Sequence, residues 1–213
     1  MTKLTDLWPR VKELALEVER PSRYIDHEWG SVYKNDADFH FCMIYPDVYE
    51  VGQSNQALRI LVNVVNAREG MSAERGFLPA PDMAEKMRAA GIPMFSVESC
   101  APLGEFDALG ITLSHELVAT NVLETLDLAG MPLHADERGE GDPFVLAGGP
   151  CAYNPEPYAP FVDAFCVGEG EVMLPDGLEF IRARRKEGAA RREILRELGK
   201  KPGWYVPSFY RWR

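Results

Sequence analysis

One phrase recurs four times in this chain, and it limits the fold more than any other feature. The stretches D-A-D-F-H-F-C-M-I-Y from Asp36, F-D-A-L-G-I-T-L from Phe106, D-P-F-V-L-A-G-G from Asp142 and D-A-F-C-V-G-E-G from Asp163 share one design. Each starts acidic, runs apolar for a few residues and finishes on small or polar ones. Short apolar runs without polar alternation suit strands buried on both faces, as in a parallel sheet. Between them lie helical patterns. Gln53 to Arg68 sets Ala57, Leu58, Leu61, Val64 and Val65 on one side, and Asp82 to Ala90 and His115 to Ala129 behave alike, the last stopped by Gly130-Met131-Pro132. Strands alternating with helices give βαβ units and a doubly wound α/β sheet, Rossmann-like or flavodoxin-like, over residues 36–186.

The remaining elements are read around that core. Leu4, Leu7, Val11, Leu14 and Val18 form the stripe of an amphipathic N-terminal helix, and 23–35 is read as a small hairpin or structured loop, so that 1–35 is an extension. Residues 71–77 and 94–97 are two further candidate strands. Residues 187–213 are read as a C-terminal helix and strand. Their aromatic ending, W-Y-V-P-S-F-Y, either packs on another domain or folds back onto the sheet.

The charge balance excludes some partners. A net charge of -10 argues against a surface built to neutralise nucleic-acid phosphates, and R-A-R-R-K at 182–186 sits among helix formers as a solvated face. No apolar run approaches the roughly 20 residues of a membrane span, and the N-terminus lacks a signal peptide's apolar core, so a cytoplasmic location is expected. Cys42, Cys100, Cys151 and Cys166 are too widely spaced for a metal site and are read as buried free thiols. Nucleotide-binding glycine loops and the G-x-S-x-G elbow are missing.

In such sheets ligands bind beyond the carboxyl ends of the strands, where the strand order reverses. Four strand ends therefore stand out: 46–52, 112–115, 148–150 and 168–171. The candidate site residues are Asp47, Tyr49, Gly52, Thr112, Ser114, Gly148, Gly149, Gly168 and Glu169. Taken singly, each has a local explanation: Asp47 as a turn former, Ser114 as a helix cap, Gly148-Gly149 as a tight turn, Glu169 and Glu171 as dipole partners of a helix start. Together, around one crevice, they favour a small-molecule site.

The set D-V-Y-E-V-G, G-I-T-L-S, V-L-A-G-G-P and F-C-V-G-E-G-E resembles the cobalamin (B12)-binding domain, with its D-x-H-x-x-G, S-x-L and G-G motifs. It is most similar to the version found at the front of radical S-adenosylmethionine (radical SAM) proteins, and the wording A-G-G-P-C-A-Y-N-P-E-P and G-W-Y-V-P-S-F-Y extends the likeness from about Arg23 to Tyr210.

The resemblance implies a B12-binding-like accessory domain, with cobalamin as its cofactor. A downstream radical SAM domain in cis would carry the [4Fe-4S] cluster and S-adenosylmethionine, because this chain lacks C-x-x-x-C-x-x-C. Two departures matter. Tyr49 stands where the family's histidine ligates cobalt, and a neutral phenol is a poor ligand, so cobalamin would be held without a histidine or lost from a degenerate site. Thr112-Leu113-Ser114 replaces S-x-L. The alternative is a freestanding small-ligand or protein-interaction module without catalytic activity.

Overall fold

The computed structural model describes residues 4–25, 28, 30–34 and 36–210. Its centre is a six-stranded sheet in the order β2-β1-β3-β4-β5-β6, made of β1 (Phe39–Tyr45), β2 (Met71–Phe77), β3 (Ala108–Thr112), β4 (Phe144–Gly148), β5 (Ala164–Cys166) and β6 (Trp204–Tyr205). The first five strands run parallel and β6 pairs antiparallel with β5. This is the flavodoxin-like variant of the doubly wound fold, and its order reverses between β1 and β3.

Helices cover both faces. On one lie α1 (Trp8–Ala15), α4 (Pro81–Ala90) and α5 (Ala119–Leu128), whose Val11, Met83, Met87, Val122 and Leu126 pack on Cys42, Ile44, Leu109, Ile111 and Val145. On the other lie α3 (Gln56–Asn66), α6 (Gly170–Lys186) and α7 (Arg191–Leu198), whose Leu58, Val62, Leu174, Leu178 and Ile194 pack on Phe39, Phe41, Met43, Leu146 and Ala164. Alternate residues of each strand face opposite layers, so both must be apolar. That is why the runs show no polar alternation.

The acidic starts have a physical role. Asp107, before β3, accepts the His40 N–H of β1 at 2.7 Å and pairs with Arg185. Asp163, before β5, accepts the Val145 N–H of β4 at 2.7 Å, Arg191 at 2.7 Å and Arg138 at 3.2 Å, all buried. Arg138 and Arg191 spend further donors on main-chain carbonyls of 132, 133, 161, 142 and 143. These carboxylates staple neighbouring strands at the N-terminal edge of the sheet, where peptide groups lose their ladder partners.

Several expectations change. The helix expected from Gln53 starts only at Gln56, as α3, because the Asn55 side chain caps the Leu58 N–H, and the strand-end loop before it holds a short helix of its own, α2 (Tyr49–Gln53). Tyr49 is thus the first residue of a helix. Residues 94–97 form no strand. Phe95 makes one antiparallel bridge to Pro102, while Val97 N–H bonds Arg75 O and covers the β2 edge. The expected hairpin at 23–35 falls partly outside the described residues, and those described carry no strand. The aromatic ending does fold back, with Trp204 and Tyr205 pairing with Cys166 and Phe165.

Asp163→Ala strands two buried guanidiniums and one amide, and is expected to lower unfolding free energy by about 3–5 kcal/mol in urea denaturation. Asp38→Ala breaks more exposed pairs to Arg182 and Lys186. It should cost less than about 1 kcal/mol in the same assay.

Candidate functional site

A cavity of about 350 Å³ opens at the carboxyl ends of β1, β3, β4 and β5, on the side covered by α3 and α6. Its floor follows from strand register. Thr112, Gly148 and Cys166 stand side by side across β3, β4 and β5, and one pleat lower lie Met43, Gly110, Leu146 and Ala164. Two glycines hollow this surface in different ways. A Cβ on Gly110 would fall 2.5 Å from Phe41 Cζ and 2.9 Å from Met43 Sδ, so this glycine lets β1 side chains lean across β3. A Cβ on Gly148 would meet nothing nearer than Cys166 O at 3.5 Å, so the space above it is open.

The roof is Leu61 of α3 and Leu174 of α6, and the first turns of both helices border the mouth through Asn55, Ala57, Gly170 and Glu171. Polar groups are few. Thr112 Oγ1 is buried and has no hydrogen-bond partner, an arrangement that costs stability unless something else satisfies it. Ser114 Oγ accepts from the Tyr45 hydroxyl at 3.1 Å. Burial pushes the Cys166 thiol up to about 11. Among the described lining residues Glu171 is the one charged side chain. An apolar slot with one unsatisfied hydroxyl suits a flat, largely uncharged group that offers one hydrogen bond.

Five of the nine candidate residues meet here: Thr112, Ser114, Gly148, Gly149 and Gly168. Gly149 adopts φ +106°, with Leu113 O 2.9 Å from an added Cβ, so its conformation is required by the turn itself. Glu169 is exposed and precedes α6, just outside the lining. The three residues of the first motif lie elsewhere. Asp47 Oδ1 accepts its neighbour Val48's N–H at 2.7 Å, holding the turn. Gly52 is buried under Phe77 and Tyr45, each within 3 Å of an added Cβ.

Tyr49 packs edge-on against Phe77, with ring centroids 5.3 Å apart, and its hydroxyl donates to Glu28. Burial, then that hydrogen bond, pushes its phenol up to about 12. Glu28 also pairs with Arg75, which is held in turn by buried Glu98 at 2.6 Å. The tyrosine thus anchors the N-terminal segment to the sheet edge. Sequence reasoning passed over Met43, Gly110, Leu61, Cys166 and Leu174. Gly110 alone left a signal, as an isolated glycine inside a strand two residues before Thr112 and so on the same face.

The described histidines offer no ligand to this cavity. His115 is exposed, His40 lies at the opposite sheet edge against Phe106, His134 stacks on Phe161, and His27 is outside the described residues. Cys151 is half-buried, and Cys42, Cys100 and Cys166 are buried. Among the described residues no metal-holding group of three His, Cys, Asp or Glu occurs, and no helix is long and apolar enough to cross a membrane. The basic cluster is neutralised internally: Arg182 and Lys186 pair with Asp38, Arg184 with Glu187, Glu193 and Glu197, and Arg185 with Asp107. A larger groove, about 680 Å³, lies at the other sheet edge; of its three arginines, Arg138 and Arg191 are committed to Asp163 and main-chain carbonyls, and Arg192 lines it as well.

The raised Cys166 pKa has a direct readout. The thiol keeps its proton until pH approaches about 11, so its alkylation by iodoacetamide should follow a pH profile centred there. Against an ordinary thiol at 9.0 the rate at pH 8 should be roughly 100-fold lower, measured by mass spectrometry of the Cys166 peptide.

No curated protein and no solved structure matches this chain. A family model described as radical SAM proteins, N-terminal, matches residues 57–207. That span runs from the cavity's α3 wall through β2 to β6, leaving β1 and the 47–52 segment with α2 outside it. Covering more than half of the chain, the match places it in a family: the chain belongs to the N-terminal domains of radical SAM proteins.

Proposed function

We propose that this domain is an accessory module that holds cobalamin for a radical SAM catalytic domain in the same protein, without a protein ligand on the cobalt. The observation that carries the reading is the slot above Gly148, roofed by Leu61 and Leu174, with the unsatisfied Thr112 hydroxyl in its floor. Cobalamin bears an aromatic base on a flexible arm. A base released from cobalt needs a dry, flat site with one hydrogen-bonding group, and these residues fit that need.

Gly148, Leu146 and Cys166 would lie under the base, Leu61 and Leu174 over it, and Thr112 would bond a ring nitrogen. When bound, the cofactor supplies a cobalt centre able to carry an alkyl group. The chain's own part is to bind, to orient and to exclude water. Tyr49 has no role as a ligand in this reading, since its hydroxyl is committed to Glu28 and its phenol remains protonated. The iron-sulfur cluster and S-adenosylmethionine would belong to the partner domain, because none of this chain's cysteines is grouped for a cluster.

The test is a titration with hydroxocobalamin followed by the visible spectrum. The expected result is a base-off spectrum without a histidine signature. Gly148→Val fills the slot without a backbone clash and should weaken binding at least about tenfold with unchanged far-UV circular dichroism, the effect of overfilling an apolar pocket. Tyr49→Phe should leave binding unaltered. Gly149→Leu is a poor probe, because the turn itself would be strained. No spectral change at high micromolar cobalamin, or binding indifferent to Gly148→Val, would overturn the reading.

A further inference from the structure

The last helix carries a charge pattern that its own chain leaves unanswered. Arg192 and Arg196 stand four apart on α7, and Lys200 follows at the same spacing just beyond its end, where the Lys200 N–H bonds Glu197 O and keeps the turn going. All three side chains are exposed, and among the described residues none is in an ion pair. The carboxylates of the same helix are spent elsewhere, since Glu193 and Glu197 both pair with Arg184 of α6 at 3.0 Å. On a protein of net charge -10, an uncompensated row of cations is a local exception.

The row adjoins the groove of about 680 Å³ at the N-terminal edge of the sheet, which Arg192 lines together with Leu195, Phe209, Pro207, Pro160 and Val162. The Arg196 guanidinium lies over the Phe209 ring, 5.4 Å from its centroid, so charge and apolar surface are contiguous. Arg191, 6% exposed, lines the groove as well, and its Nε is buried without an acceptor.

Spacing and charge select the occupant. Residues four apart on a helix are separated by about 6 Å along its axis, and side chains on one face of an extended peptide repeat at about 6.6 Å. Alternate acidic residues of an extended segment therefore meet Arg192, Arg196 and Lys200 in turn. The groove itself does not favour acids, because Asp136 lines it and Glu140 already accepts the Arg191 N–H. The acidic stretch belongs along α7, with an apolar residue entering the groove beside Phe209. Three cations on so acidic a protein are a small footprint for a nucleic-acid backbone, whose affinity grows with the number of phosphates neutralised.

We propose that the exposed face of α7 and the adjoining groove bind an acidic peptide segment of a partner protein, an extended stretch with alternate Glu or Asp side chains next to an apolar anchor. The site lies at the opposite edge of the sheet from the cavity and does not depend on what the cavity holds.

The experiment titrates the intact protein into rhodamine-labelled peptides, Phe-Ala-Glu-Ala-Glu-Ala-Glu and its reverse, and follows fluorescence anisotropy. Saturable binding of one of them at low salt is expected, weakening as salt screens the charges. Arg192→Glu combined with Arg196→Glu should weaken it at least about tenfold, and Phe209→Ala about threefold or more. Lys12→Glu combined with Arg59→Glu makes the same change in net charge at exposed cations on α1 and α3 and should leave binding unaltered. No saturation at millimolar protein, equal weakening in the two double variants, or tighter binding of a single-stranded oligonucleotide of the same length would overturn the proposal. So would a dimer in analytical ultracentrifugation that Arg192→Glu with Arg196→Glu dissolves, which would assign this face to a second copy of the chain.

Discussion

The buried carboxylate of Asp163 is the interaction on which the rest of this structure depends. It accepts one strand amide and two guanidiniums, and those arginines in turn gather the main-chain carbonyls below β4 and β5. Asp107 does the same on a smaller scale between β1 and β3. With the N-terminal edge of the sheet fastened, the carboxyl edge is left free to carry glycines, short turns and an unsatisfied hydroxyl. Stability sits at one end of the strands and the candidate site at the other, the division of labour expected of a doubly wound sheet.

Much of the fold was legible because burial on both faces forces near-continuous apolar runs, and the four acid-led phrases mark β1, β3, β4 and β5 directly. The elements that escaped were those decided by single contacts. The Asn55 cap moves the start of the expected helix from Gln53 to Gln56, and a β2 edge that needed covering turns 94–97 into a strap. The β4 to β5 crossover uses short 3₁₀ turns where a helix would be usual.

The site was half legible for a related reason. Strand ends could be located by composition, and Thr112, Ser114, Gly148, Gly149 and Gly168 do surround one opening. Which side of the sheet each loop serves depends on strand parity and register. That is why Tyr49 and Gly52, three residues apart in one motif, pack against Phe77, while Gly110, unmarked by any motif, shapes the floor. The roof residues Leu61 and Leu174 look like ordinary helix core in sequence. Only the bare surface of Gly148 beneath them turns that core into a cavity.

Tyr49 also changes what the first motif means here. Tied to Glu28 and through it to Arg75 and Glu98, it joins the N-terminal segment to the sheet edge, a structural duty where a cobalt ligand would stand in the domain the motif resembles. In the proposed reading, a ligand at the strand ends is held from the slot. The most direct measurement is methyl NMR of the domain during addition of hydroxocobalamin. If the slot is the site, the methyl resonances of Leu61, Leu146 and Leu174 move together and saturate, while Ile194 and Leu195 of α7, toward the stapled edge, stay in place. Resonances of the slot that remain unmoved, or movement confined to Leu195, would contradict it.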